Sequence, residues 1–350
     1  MDTKFDVLRA IIRSSQFSPF VEGVMVPLPT GERLRLKIES VKQFQRPKGF
    51  RFFKYTYITG MRANGIHATG CGESNYKILA IQKSIAEAIE RTVFKALKGT
   101  SFSTITSNGW ATHLNRKNAE RAALFELLER DAALVHWFNK EPMLEISFET
   151  CPAWFQKWKK AELSSSQFSN VRILLSTQGH LPTISVFLLG KDGLGVVSHA
   201  AAPQMEQALS KAAAESCRLA YMARHSLYSE STKSLFKDKS SITFGPQHHA
   251  VAYAYQEQFP HWLFGRQVSW QTANDLWKNK VRTFQSSNFR YQFNEIFSGP
   301  LSVGFCESKM TQNLFFGNTL SAVRDGFINF NRLGIIETKQ ELNIKPHFVA

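Results

Sequence analysis

Two stretches of this chain carry the same acidic pattern, and they constrain the fold more than anything else in it. In Ser84–Arg91 (SIAEAIER) and again in Leu124–Arg130 (LFELLER), Glu is followed by two apolar or small residues, a second Glu and an Arg. Glu126, Glu129 and Arg130 each stand 39 residues after Glu87, Glu90 and Arg91. Apolar residues around them recur at helical spacing: Ile78, Ile81, Ile85 and Ile89 near the first copy, then Leu124, Leu127, Leu128, Leu134 and Val135 near the second. Two core-facing helices are therefore expected, the second starting near Lys117 or Asn118. On each, the two carboxylates and the guanidinium project from one side. One copy alone reads as a solvated i,i+4 ion pair. Two copies suggest more, because clustered carboxylates repel unless a cation or a proton is shared among them. Four such groups facing one another would suit a divalent metal and, through it, phosphate.

Charge and composition narrow the partners. The 350 residues hold 43 Lys and Arg against 28 Asp and Glu, a formal charge of +15, which favours anionic ligands. Four cysteines, Cys71, Cys151, Cys217 and Cys306, form no Cys-x-x-Cys pair, so neither a zinc site nor a disulfide framework is indicated, and a reducing, cytoplasmic setting is expected. No run approaches the roughly 18 apolar residues of a membrane span. Between Arg33 and Lys54 eight basic residues and the single acid Glu39 are interleaved with Phe44, Phe50, Phe52 and Phe53. That mixture can bind nucleic acid, but strands with a basic outer face produce it too, and nucleic acid is not the expected partner.

In chain order, Phe5–Ile12 suggests a short helix. The segment from Phe20 to Val41 alternates about a Pro-Thr-Gly turn as a hairpin. Thr69-Gly70-Cys71-Gly72 reads as a glycine turn opening toward the first acidic helix, and Ser107-Asn108-Gly109 as a turn before the second. Glu141–Ser169 suggests a surface helix and a Ser-rich loop. VRILLST, PTISVFLLG and LGVVSHA read as strands of a buried sheet, followed by a helix over Gln204–Arg224 carrying Glu215 and Arg218. The stretch from His248 to Phe264 is expected to be helical, and short mixed segments follow Asn274. No linker or tandem repeat divides the chain, so a single α/β domain over residues 1–350 is expected, with a β-rich basic part to about residue 70 and a C-terminal part from about residue 245.

The order and spacing of these elements resemble the YcaO family over most of the chain. The likeness rests on the glycines ahead of Ser84–Arg91, on Ser-Asn-Gly followed by Glu-x-x-Glu-Arg-Asp-Ala, and on three strands and a helix ending in Glu215-Ser216-Cys217-Arg218. It implies a YcaO-like α/β fold of mixed sheets with packed helices around an ATP and Mg²⁺ site, with a nucleotide-binding core over about residues 70–225. It also implies an enzyme that activates a peptide backbone amide: a nucleophile adds to the carbonyl, the oxygen is phosphorylated, and phosphate leaves. By resemblance, Glu87, Glu90, Glu126, Glu129, Glu215 and Asn118 would hold Mg²⁺, and Ser84, Arg91, Asn108, Arg130 and Arg218 would meet ATP or its phosphates. Three positions depart from the family pattern. Asn118 replaces a common Glu, Arg218 a usual Gln, and Cys71 a common Lys, which implies altered metal affinity and ATPase activity.

The implied reaction is most simply cyclodehydration of Cys, Ser or Thr to an azoline in a ribosomally made peptide. Thioamide formation and a non-catalytic YcaO-like scaffold are the alternatives. The expected partners are a peptide or protein substrate and a separate leader-binding or sulfur-delivery protein, with no membrane; a homodimer is left open.

Overall fold

The computed structural model describes residues 24–44, 53–101, 106–165, 168–192, 194–224, 259–298, 301–314, 319–334 and 342–343. The short helix expected over Phe5–Ile12 and the first part of the helix expected from His248 lie outside these residues. The chain divides into two compact units. The first runs to Leu124 and takes in Tyr291–Ser308; the second comprises Phe125–Arg290 and the chain from Lys309.

In the first unit β1 (Val24–Pro27), β2 (Arg33–Gln43), β3 (Tyr55–Ala63) and β4 (Ile66–Ser74) form an antiparallel sheet in sequence order. Asn64 and Gly65 both take positive φ, 45° and 82°, the requirement of a tight two-residue hairpin between β3 and β4. Helix α1 (Lys77–Ala96) packs on this sheet through Ala80, Ile81, Ile85, Ala88, Ile89 and Val93. Ile78, expected on the core face, is 60% exposed although it shares the azimuth of the Ile81–Ile85–Ile89 stripe, because it lies in the first turn, where Tyr76 and Leu79 are exposed as well. The expected glycine turn is an inner stretch of β4. A Cβ on Gly70 would stand 2.2 Å from Ser84 O, and one on Gly72 2.0 Å from Ala80 O, so the glycines let strand and helix backbones touch. Strand β5 (Trp110–His113) follows, and helix α2 (Arg116–Phe138) begins in the first unit and continues in the second.

The second unit adds β6 (Met143–Ile146), α3 (Ala153–Ser165), β7 (Asn170–Ser176), β8 (Thr183–Leu189), β9 (Gly195–Ala200), α4 (Met205–Arg224), β10 (Phe264–Val268) and α5 (Trp270–Gln285). Its five-stranded sheet has the order β10-β6-β7-β8-β9, antiparallel except for the parallel pair β10–β6. Every residue of β8 and β9 is buried, as their unbroken apolar sequence requires. Helix α3 has one face in solvent, with Lys157 and Lys160 exposed, and one in the core, where Phe155 and Trp158 are wholly buried with ring centroids 4.7 Å apart. Phe264 begins a strand rather than ending a helix, and of the short segments expected after Asn274 only the stretch to Gln285 differs, being the second part of α5. The chain returns to the first unit in β11 (Gln292–Ser298) and β12 (Ser302–Glu307), which pair with β5 in the order β11-β12-β5. It closes, among the described residues, with α6 (Thr319–Arg324) and α7 (Phe330–Leu333) in the second unit.

A polar hub fixes that return. Asp131 is fully buried, and its carboxylate accepts the Gln312 N–H at 2.8 Å and two hydrogen bonds from Arg332, at 2.9 Å from Nε and 2.7 Å from Nη2. Burial makes this bidentate pair strong and its half-removal costly. No helix of the described residues is long and apolar enough to cross a membrane.

Candidate functional site

The first acidic copy lies along an edge strand. In β4, residues 67, 69, 71 and 73 turn their backbone groups away from β3, and α1 meets them with side chains four residues apart. Lys83 Nζ donates to Glu73 O at 3.1 Å, Glu87 Oε2 accepts from Cys71 N–H at 2.7 Å, Arg91 Nη1 donates to Thr69 O at 2.9 Å and Lys95 Nζ donates to His67 O at 2.7 Å. Four helical residues rise about 6 Å and two strand residues about 6.6 Å, so the two periods stay in step over all four rungs. The helix thereby covers an edge that would otherwise offer unpaired backbone groups. The other oxygen of Glu87 pairs with Arg91, so both oxygens are engaged.

The remaining candidates of this unit are dispersed. Ser84 is sealed in the helix–sheet interface, its hydroxyl 2.7 Å from Thr59 Oγ1 and 2.8 Å from Ile81 O. Glu90, one residue from the stripe's Arg91, is half-buried. Asn108 sits in the Ser-Asn-Gly turn, where Gly109 takes φ +73° before β5. Its side chain is buried, and among the described residues its Oδ1 has no hydrogen-bond partner. A buried amide oxygen without a donor costs free energy until a ligand or water supplies one. Asn118 lies in the first turn of α2, half-buried, its backbone N–H accepted at 2.9 Å by Asn115 Oδ1. Glu120, two residues on, accepts from the Tyr291 hydroxyl at 2.9 Å.

The second copy is a crowded acidic cluster. Glu126 pairs with Arg130 at 3.0 Å, and Arg218 on α4 donates to Glu215 at 2.7 Å. Glu129 stands near both carboxylates, and its Oε2 accepts the Ala201 N–H at 3.0 Å, just beyond β9. Although Glu129 keeps some exposed surface, enclosure by protein pushes its carboxyl up to about 8. The Glu215 charge acts in the same sense, and Arg130 and the Ala201 N–H only partly offset them. Glu129 therefore holds a proton at neutral pH unless a cation is present. Close by, His199 is buried on β9 with Nδ1 2.8 Å from Ser185 Oγ; burial, then the Arg130 charge, lowers it to about 3 and keeps it neutral. Neither His199 nor Ser185 belonged to the acidic pattern. Their signal is the polar pair inside the apolar runs PTISVFLLG and LGVVSHA.

Among the described residues no three acidic, histidine or cysteine side chains form an enclosure for a metal by themselves. Mg²⁺ does not require one, since it commonly takes one or two carboxylates and completes its shell with water and phosphate oxygens. In the second unit, crowded carboxylates beside two arginines have the chemistry of groups that receive a hard cation.

These features define a mixed α/β protein with helix-borne clusters of acids and arginines and with no Gly-Lys-Ser/Thr phosphate loop anywhere in the sequence. A family model described as YcaO cyclodehydratase, ATP- and Mg²⁺-binding, matches residues 88–289, more than half of the chain, and the chain belongs to that family. ATP and Mg²⁺ are the family's cofactors. Among solved structures, the chain is similar to YcaO from Methanopyrus kandleri bound with AMPPCP and Mg²⁺, at 12% identity and a TM-score of 0.56 over 87% of this chain and 90% of that one. It is likewise similar to a chain of the E. coli microcin synthetase McbBCD complex with pro-MccB17 bound, at 14% identity and a TM-score of 0.55 over 89% and 97%. A heterocyclase in complex with substrate and cofactor gives 11% identity and a TM-score of 0.55, over 88% of this chain and 54% of that longer one. These likenesses establish a shared fold. No curated protein matches the sequence.

Proposed function

We propose that this chain activates a peptide backbone amide at the expense of ATP, converting Cys, Ser or Thr in a peptide substrate to an azoline. The observation that carries this reading is the state of Glu129, crowded between Glu126 and Glu215 and protonated at neutral pH until a cation replaces the proton. When bound, Mg²⁺ and ATP supply the phosphoryl group that turns the amide oxygen, a poor leaving group, into a good one. In the second unit Glu126, Glu129 and Glu215 are the proposed metal ligands, with Arg130 and Arg218 offsetting phosphate charge. In the first, Glu90 and Asn118 are the proposed metal-side groups and Asn108 the nucleotide-side group, Glu87 and Arg91 being taken up by the edge of β4 and Ser84 by the helix–sheet interface. Asn108 is suited to it directly, since its buried Oδ1 can accept a donor from a ribose or base. A peptide substrate and a separate partner protein that presents it are part of the proposal.

One observation favours a second reading, a YcaO-like subunit that scaffolds a complex without turning over. Glu87 is already committed to Cys71 and Arg91, and Asn118 supplies only a neutral oxygen.

Calorimetric titration with ATP, with and without Mg²⁺, followed by incubation with candidate precursor peptides and partner proteins, separates these readings. Mg²⁺-dependent binding and loss of one water from the peptide are expected. Exchange of amide oxygen for sulfur when sulfide is supplied would instead make the chain thioamide-forming. Absence of nucleotide binding would favour the scaffold.

A further inference from the structure

The face of the first sheet opposite its apolar side concentrates positive charge. On β2, Leu34 and Leu36 are buried while Arg33, Arg35 and Lys37 alternate with them on the exposed side. On β3, Arg62 is exposed between buried Met61 and Ala63, and the register sets it directly across from Lys37. Like charges at directly opposed strand positions destabilise a sheet, and uncharged polar residues would satisfy the alternation equally well. Glu39 lies 3.8 Å from Arg62 and 3.3 Å from His67. Among the described residues no carboxylate pairs with Arg33 or Arg35.

The spacing of these cations indicates what they would hold. Same-face residues of one strand stand about 6.6 Å apart, so Arg33, Arg35 and Lys37 form a row about 13 Å long. An extended peptide with carboxylates on alternate residues has the same repeat. Single-stranded nucleic acid fits less well, because it is held largely by base stacking on aromatic rings. The only Phe, Tyr or Trp residues of these four strands, Tyr55 and Tyr57, occupy positions on the inner face.

We propose that the outer face of the β1–β4 sheet, through Arg33, Arg35, Lys37 and Arg62, docks an extended acidic segment of the peptide substrate. This rests on the proposed function only in assigning the segment to the substrate. Docking itself needs neither nucleotide nor catalysis. Because the groups are exposed, association must weaken steeply with salt.

The test uses the full chain and a fluorescein-labelled 12-residue peptide of alternating Glu and Ser, read by anisotropy. Binding is expected, with at least a tenfold loss of affinity between 50 and 300 mM NaCl and none for the same peptide with Gln for Glu. The triple variant Arg33→Gln/Arg35→Gln/Lys37→Gln should bind at least tenfold more weakly. A charge-matched control, Lys157→Gln/Lys160→Gln/Lys211→Gln, at exposed positions of the second unit, should stay within twofold of wild type. Lys37→Gln/Arg62→Gln should likewise weaken binding. Equal losses in the triple variant and the control, or an unchanged triple variant, would overturn the proposal. So would tighter binding of a 12-residue oligothymidylate through the same three residues. ATP titrations on the same variants keep a failed dock distinct from a failed nucleotide site, since only the latter loses Mg²⁺-ATP.

Discussion

Replacing Glu129 by Gln should act in opposite directions on the empty and the liganded protein. Gln keeps an oxygen to accept the Ala201 N–H and nearly the same volume, so the perturbation is loss of the charge alone. In the folded chain the carboxyl titrates at about 8 against an ordinary 4.5. Its folded value is raised, so the stability tied to its proton is fully present below about 4.5 and is lost as pH rises through about 8. At about 1.36 kcal/mol per pH unit, the gap between Glu129→Gln and wild type should grow by on the order of 4 kcal/mol from pH 5 to pH 8, the variant becoming the more stable. Urea unfolding in EDTA across that range measures it, and taking the difference between two proteins cancels the titrations they share. With Mg²⁺ and ATP the order should reverse, because the metal takes the proton's place in wild type and finds no anion in the variant. A gap that does not change with pH would refute the crowded-carboxyl argument. An unaltered thermal shift with Mg²⁺-ATP in Glu129→Gln would refute the ligand role while leaving the electrostatics standing.

Three further outcomes follow from the packing. Gly72→Ala should prevent α1 from seating on β4, since its methyl would meet backbone atoms at 2.0 and 2.3 Å that cannot swing aside; a loss of at least ~3 kcal/mol in chemical denaturation, or no soluble protein, is expected. Arg332→Met leaves Asp131 buried without its cation and should cost about 3–5 kcal/mol in the same assay, whereas Arg324→Met, at an exposed pair, should change little. His136 and His199 are held neutral, at about 4 and about 3, by burial. These folded values lie below the ordinary 6.5, so the stability is present above 6.5 and lost as pH falls, together about 3 kcal/mol by pH 5.5. Glu129 works in the opposite sense over that window, so the urea midpoint should be followed in Glu129→Gln, where a flat profile would contradict the burial of both rings.

The parts of the fold legible in the sequence are those where one local pattern decides the outcome. VRILLST, PTISVFLLG and LGVVSHA are strands because unbroken β-branched runs bounded by Gly and Pro have few other uses. Where apolar residues are sparse the pattern fails. Helix α5 buries only Ala273 and Trp277 among its sixteen residues, so its sequence gives little period to read. Strand β10 exists because Phe264–Val268 finds β6, some 120 residues earlier in the chain, and nothing within five residues announces that pairing. Thr69-Gly70-Cys71-Gly72 reads as a turn because glycine usually marks one. Here the two-residue glycine spacing matches Ala80, Ser84 and Ala88 on α1, a helix–strand contact visible only when both segments are compared.

The same distinction governs the two acidic copies, whose sequences match and whose surroundings do not. A Glu and an Arg four residues apart specify one stripe of a helix and leave open what that stripe faces. In α1 the stripe extends to Lys83 and Lys95 and meets an edge strand, so Glu87 and Arg91 bond backbone groups and a structural duty accounts for their spacing. In α2 no such edge is met among the described residues; Glu129 has one backbone donor, Ala201, and the Arg130 charge against two neighbouring carboxylates. Charge neutralised by the fold needs no ligand, whereas a carboxyl pushed up to about 8 by enclosure, and then by the Glu215 charge, is relieved by a cation. This asymmetry predicts that Glu87→Gln chiefly weakens the seating of α1, read as lower stability with or without Mg²⁺-ATP. Glu129→Gln should instead raise the stability of the empty protein and remove its response to Mg²⁺-ATP. If both variants lost the Mg²⁺-ATP response equally and neither lost stability in EDTA, the two copies would be equivalent and the clasp along β4 incidental.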